Sequence, residues 1–454
     1  MTMKRAMLYN VLAQGSVFFF GLINAVLSAQ VLGTVGKGQL AIYLLAIDMG
    51  IALTILGMGP ALQYFASREE FRGPKTVNTA LVYSVGCAVV FAVLVQLLFW
   101  LGQGSRVLPQ PFDSPLFRAL ITVHFLNQFF GHLIIGLINS HKLFVQTSKI
   151  QMASVTLTLI MYVGLFLVHR TGTQQVFANS FYFALAASAI IRIGMAVFVY
   201  FRYVHRRETP HRLEFLDSTR VRTLVAFGVF PWISGFMIRG VLKADFWFVQ
   251  HFEGLENLGL YSMASNLGET LYLVPNTVGL VLLSFVADPK TREGSTERTA
   301  MIARLFFLAM IVGAVVFSPV SSWFFGFAFG PDFRASGHIF NLLLWGVVPF
   351  SLATVMMGFL TGANQARHIL VAASAGLFLI LVLDMLMVPR FGMAGAAAAR
   401  GVALNVMTWY LIICFHKTTG IAYRDFLFPK ASDLGEIARL LRRKDPTDVD
   451  PTDV

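Results

Sequence analysis

Four cations, Arg192, Arg239, Lys243 and Arg400, and four acids, Asp48, Asp245, Glu269 and Asp384, lie inside long apolar runs of this chain, with His124 and His132 beside them. An ionisable group held away from water costs about 2.5–3.5 kcal/mol on insertion scales, so each one invites a chemical explanation. Arg239 and Lys243 stand four residues apart, which puts them on one face of a helix. A face carrying two cations must meet water, acids or an anion. One reading is a cationic cavity wall that grips phosphate; the other is an internal salt-bridge network. Arg192 and Arg400 join the anion-binding candidates, although a long cation near a span end also snorkels to the interface.

Asp48 and Glu269 each fall ten residues into an apolar run, near mid-membrane at about 1.5 Å per residue. Carboxylates at that depth suit ion coupling, because they can load a proton or ligate sodium. Asp245 is the third candidate for this role. Glu269 is favoured, since Ser262, Asn266 and Asn276 share its helical face; the plainer alternative pairs each acid with a cation of a neighbouring helix. Polar stripes run along two further segments, with Asn10, Gln14, Asn24 and Ser28 on one and His124, Gln128, His132 and Asn139 on the other. Gln14, Asn24, His124 and Gln128 are the candidates for binding sugar hydroxyls, and hydrogen bonds between packed spans leave the same trace. No spacing suggests a catalytic group, a metal site or a cofactor.

The elements that must hold these groups are membrane helices. Of 454 residues, 56% are hydrophobic and 13% charged, where a soluble domain is about a quarter charged, so a soluble enzyme is excluded. Runs of the roughly 20 residues a bilayer demands recur near 8–31, 39–66, 77–101, 116–138, 146–168 and 176–201, then near 223–251, 259–286, 300–324, 338–362, 369–388 and 393–416. This predicts an all-α polytopic protein of about twelve transmembrane helices. It divides into an N-terminal lobe (1–201), a basic linker (202–222), a C-terminal lobe (223–416) and a tail (417–454). In the tail, Ser432 can cap a short amphipathic helix, followed by a disordered acidic end that repeats DPTDV. Cys87 and Cys414 sit in apolar runs and imply no disulfide framework.

With both termini placed in the cytoplasm, the opposite side holds only Lys37, Arg106, Arg118, Arg170, Arg334 and Arg390, the asymmetry expected of the positive-inside rule. The net charge of +12 is then topology and contact with anionic membrane lipids; it calls for no nucleic acid. Gly33, Gly38 and Asp48 match Gly254, Gly259 and Glu269 at one offset of 221 residues. A duplicated pair of six-helix lobes explains this, and an even helix count relates them by a pseudo-twofold axis along the membrane normal.

Three segments carry a family resemblance: VLGTVGKGQLAIYLLAIDMG at the first helix pair, LKADFWFVQHFEGLENLGLYSMA at the seventh and eighth helices, and RFGMAGAAAARGVALNV near the end. They resemble the Wzx-type polysaccharide-biosynthesis flippases of the multidrug/oligosaccharidyl-lipid/polysaccharide exporter superfamily. The resemblance implies a bacterial inner-membrane protein with no enzymatic activity. It would move an undecaprenyl-pyrophosphate-linked oligosaccharide to the outer leaflet by alternating access, with a proton or sodium as coupling ion and other polysaccharide-assembly proteins as partners. An ion-coupled multidrug exporter of the same superfamily is the nearest alternative, disfavoured by Arg239 and Lys243. A membrane-embedded glycan polymerase or transferase is the alternative from another class, disfavoured by outer loops too short to house a reaction centre.

Overall fold

A computed structural model describes residues 3–58, 74–102, 104, 108, 114–140, 143–169, 174–204, 218–272, 275–276, 278–279, 282, 286 and 292–428. Nearly all of them are helical. In chain order the helices are α1 (Met3–Thr54), α2 (Pro74–Trp100), α3 (Pro115–Ser140), α4 (Phe144–His169), α5 (Gln174–Val199), α6 (Ser218–Leu271), α7 (Arg292–Phe317), α8 (Ser321–Phe329), α9 (Arg334–Gly362), α10 (Ala366–Thr419) and α11 (Tyr423–Leu427). Among the described residues, eight helices are long and apolar enough to cross a membrane. In hydrocarbon every backbone N–H and C=O must be satisfied within the segment, and the helix does this.

Three helices are broken by one glycine each: Gly33 in α1 (φ 64, ψ −170), Gly254 in α6 (φ 82, ψ −177) and Gly392 in α10 (φ 57, ψ −140). Residues with a Cβ are strained there, and glycine is not. The chain reverses at these points. Lys243 and Glu269 would lie about 39 Å apart along a straight helix, yet they form an ion pair at 2.8 Å across Gly254. Across Gly33 the Lys37 ammonium donates to Ser28 Oγ at 3.0 Å. A Cβ on Gly395 would meet the Met387 carbonyl oxygen at 2.4 Å, which needs the same reversal at Gly392.

The reversals of α1 and α6 pack against each other reciprocally. A Cβ on Gly38 would lie 1.9 Å from the Leu255 carbonyl oxygen, and one on Gly259 would lie 1.9 Å from that of Thr34. The partners exchange at the offset of 221 read from the sequence. At the far end of the same interface Gly57 and Gly228 touch through backbone, and Trp232 Nε1 donates to Ala52 O at 2.6 Å. Because backbone cannot yield as a flexible side chain can, Gly38→Ala and Gly259→Ala are each expected to destabilise by about 1–3 kcal/mol, whereas Gly164→Ala enters open space. Monodisperse yield after detergent extraction is the measurement; parental yield for Gly38→Ala would contradict this packing.

Two differences from the sequence reading concern boundaries. Helix α6 begins at Ser218 rather than near 223, so part of the expected linker is helical, and a π-helical turn at Tyr200–Val204 extends α5. The ninth apolar run is divided: Pro319 lies in a 3₁₀ turn, Ser318–Val320, that separates α7 from α8, as expected where proline lacks an N–H. The Ser432 amphipathic helix and most of the linker lie outside the described residues.

Candidate functional site

The innermost part of the site is a buried ion knot. Arg400, on the second limb of α10, donates through Nε and NH2 to the two oxygens of Asp245 on α6, at 2.6 Å each. Tyr261 also donates to Asp245, and Arg400 NH1 donates to Ser265 Oγ. The guanidinium lies 5.5 Å from the Tyr261 ring centre. Arg400 is 1% exposed and Asp245 0%. A fork-shaped guanidinium fits a carboxylate with two parallel bonds, which makes this pair possible without water.

Glu269 links the knot to a wetter layer. Its Oε1 takes the ion pair from Lys243, accepts from Ser265 Oγ at 3.1 Å and stands 3.7 Å from Arg400 NH1. Lys243 also donates to Asn266 Oδ1 at 3.2 Å and lies over the Phe246 ring. Beyond them Arg239, Asn266 and Asn276 are exposed. From the first half of the chain, Asp48 is exposed and electrostatically coupled to Lys243, Arg239 and Glu269. His132 on α3 is exposed and coupled to both Arg192 and Arg239. Asp48 and His132 are thus exposed polar groups in the neighbourhood of Arg239 and the Lys243–Glu269 pair.

A second polar chain enters the N-terminal half. Arg192 on α5 donates to Gln128 Oε1, Gln128 Nε2 contacts His124, and His124 Nδ1 meets Tyr43 Oη at 2.6 Å. His124 is buried, and Gln128 and Arg192, the next members of the chain, are half-buried. Asn24 donates to Val155 O at 3.3 Å and ties α1 to α4. Gln14 belongs to α1, but its side chain lies outside the described residues.

Several sequence expectations change accordingly. Arg400 and Asp245 are withdrawn from solvent and bonded to each other, with Ser265 and Tyr261 as further partners, so the structure holds both in the internal ion-pair network that was the other reading of the sequence. His124 is likewise a core residue. Ser262 does not meet Glu269; its hydroxyl donates to Gly259 O, and Ser265 takes that role. Helix periodicity does not separate such neighbours on a broad polar face. Among the described residues, Asp384 is fully buried with neither carboxylate oxygen hydrogen-bonded, and no cluster of three or more His, Cys, Asp or Glu residues could hold a metal ion.

Beside this polar cluster run two connected apolar pockets. One of about 420 Å³ is lined by α1, the end of α6, α7, α8 and α9, including Leu267, Gly313 and Leu344. The other, about 240 Å³, shares Phe18, Leu22, Leu267 and Thr270 with it and adds Lys37 and Asn266.

Residues 3–283 match a family described as polysaccharide biosynthesis protein. No curated protein matches the chain. Among solved structures, the lipid II flippase MurJ in an inward closed conformation is similar with TM-score 0.70 and 15% identity, covering 97% of this chain and 94% of that one. An inward-facing multidrug-resistance MATE transporter of the MOP superfamily gives 0.65 and 12%, covering 89% and 94%. A eukaryotic MATE transporter gives 0.58 and 13%, covering 92% and 97%.

Proposed function

Since the chain belongs to the polysaccharide biosynthesis protein family, within a superfamily of membrane flippases and transporters, we propose that it flips a polyprenyl-pyrophosphate-linked oligosaccharide between leaflets by alternating access. The reading takes the chain as twelve passes in two six-pass lobes about a pseudo-twofold axis, with both termini cytoplasmic in a bacterial inner membrane. The observation that carries it is the polar cluster itself: exposed Arg239 and the neighbouring Lys243 form a cationic wall, with amide and imidazole groups around them and apolar grooves alongside. A pyrophosphate meets the cations, sugar hydroxyls meet Asn266, Asn276 and His132, and the prenyl tail stays in lipid.

Alternating access then requires the Gly38–Gly259 contact and the Gly57–Gly228 contact to part in turn, because they seal opposite ends of one interface. Ion coupling falls to Glu269 with Asp48. A proton or sodium ion on Glu269 would weaken its hold on Lys243 and free that cation for phosphate. Arg400 and Asp245 act as the fixed anchor behind this pair. A multidrug exporter of the same superfamily is the alternative, with exposed Asp48 as the acid for an organic cation; exposed Arg239 favours an anionic substrate.

The test is a leaflet-to-leaflet assay in liposomes with a fluorescent undecaprenyl-pyrophosphate glycan, run beside a bond-forming assay. Translocation without bond formation is expected, with Glu269→Gln losing its response to an imposed proton or sodium gradient. Glycan joining, or export of a cationic dye with no glycolipid movement, would overturn the reading.

A further inference from the structure

Lys37 has no part in the polar cluster described above, yet it is 7% exposed and its ammonium has one hydrogen-bond partner, Ser28 Oγ. Among the described residues no carboxylate lies within ion-pair distance of it. A buried cation without an anion is unfavourable, and inside a membrane protein it marks a place where an anion binds. Lys37 lines the 240 Å³ pocket, whose other lining is mostly apolar, including Val17, Phe18, Leu22 and Met263.

The pocket continues into the 420 Å³ apolar groove, and the two are ordered by depth. Lys37 lies four residues from the reversal at Gly33, about 6 Å along the helix, whereas Phe18 lies fifteen away, about 22 Å. Lys37 thus sits near the reversal end, whereas Asn266, twelve residues and about 18 Å from the reversal at Gly254, lies deeper beside the apolar space, which runs towards mid-bilayer. Phe18, shared by both spaces, is 42% exposed and leaves the mouth open to the bilayer.

We propose that this groove is a binding site for an anionic phospholipid of the leaflet at the reversal end, with Lys37 holding its phosphodiester and one acyl chain filling the space beside Gly313. One cation matches one negative charge. A pyrophosphate bearing an oligosaccharide carries more charge and too large a head for a 240 Å³ pocket. The proposal holds whichever substrate the protein carries.

The full chain, purified in detergent, is titrated with phosphatidylglycerol or phosphatidylcholine and bound lipid is read by native mass spectrometry. The parent is expected to prefer phosphatidylglycerol about tenfold, because both lipids offer a phosphodiester but the choline cation of phosphatidylcholine opposes the Lys37 ammonium. Lys37→Gln should remove the preference and Lys37→Arg should keep it. Gly21→Leu and Gly313→Trp introduce side chains where a Cβ meets open space, so they fill the pocket and groove without a backbone clash. Both should weaken phosphatidylglycerol. Undiminished phosphatidylglycerol binding in Lys37→Gln and Gly21→Leu would overturn the proposal. So would equal binding of phosphatidylcholine by the parent, or displacement of phosphatidylglycerol by equimolar farnesyl phosphate, which would assign the site to prenyl phosphates.

Discussion

Arg400→Gln is expected to cost the protein its folded state, with a loss of about 3–5 kcal/mol, because it leaves the buried Asp245 carboxyl without its counterion. Both partners are essentially inaccessible to water, so solvent screening cannot soften the loss. Asp245→Asn should do comparable damage from the other side. Removing the pair together, as Arg400→Met with Asp245→Leu, should recover much of the stability, since a well-packed apolar pair replaces two desolvated charges. Monodisperse yield and melting temperature in detergent measure this. Parental stability in either single variant, or no recovery in the double, would show that the knot is not an anchor.

Arg239 should behave in the opposite way. Its side chain is exposed, so Arg239→Gln is expected to fold normally and to lose substrate. A charge-assisted contact to phosphate is worth about 1.5–3 kcal/mol, or roughly a ten- to hundredfold loss of affinity. Arg239→Lys should already impair binding, because a guanidinium grips two phosphate oxygens and an ammonium acts as a point charge. Lys243→Gln is less clean, since it also releases Glu269 from its ion pair. Binding of a polyprenyl-pyrophosphate glycan to purified Arg239→Gln decides the matter. If a well-folded variant binds as tightly as the parent, the cationic wall is not the phosphate site.

The contrast between these two arginines shows where sequence reasoning stopped. Both lie in apolar runs and both look equally expensive to bury. Arg400 is saturated because the α10 reversal at Gly392 returns its second limb to α6, where Asp245 and Ser265 wait on either side of Gly254. Nothing in the local spacing of residues 393–416 contains that information.

Much else was determined by the sequence. Apolar runs of about twenty residues point to helices, because the helix is the arrangement in which one segment satisfies its own backbone in lipid. The matched glycines at offset 221 marked two of the reversals, since the required backbone angles exclude other residues. The spacing of Arg239 and Lys243 put both on one helical face. Tertiary structure alone decided which charge meets which: Lys243 with Glu269, Arg400 with Asp245, Arg192 with Gln128, and Asp384 with no hydrogen-bonding group among the described residues. Helical periodicity fixes a side chain's angle about its own axis. Its partner depends on how that axis is turned towards its neighbours, and that is set by close backbone contacts such as Gly38 against Gly259, which only the packed molecule contains.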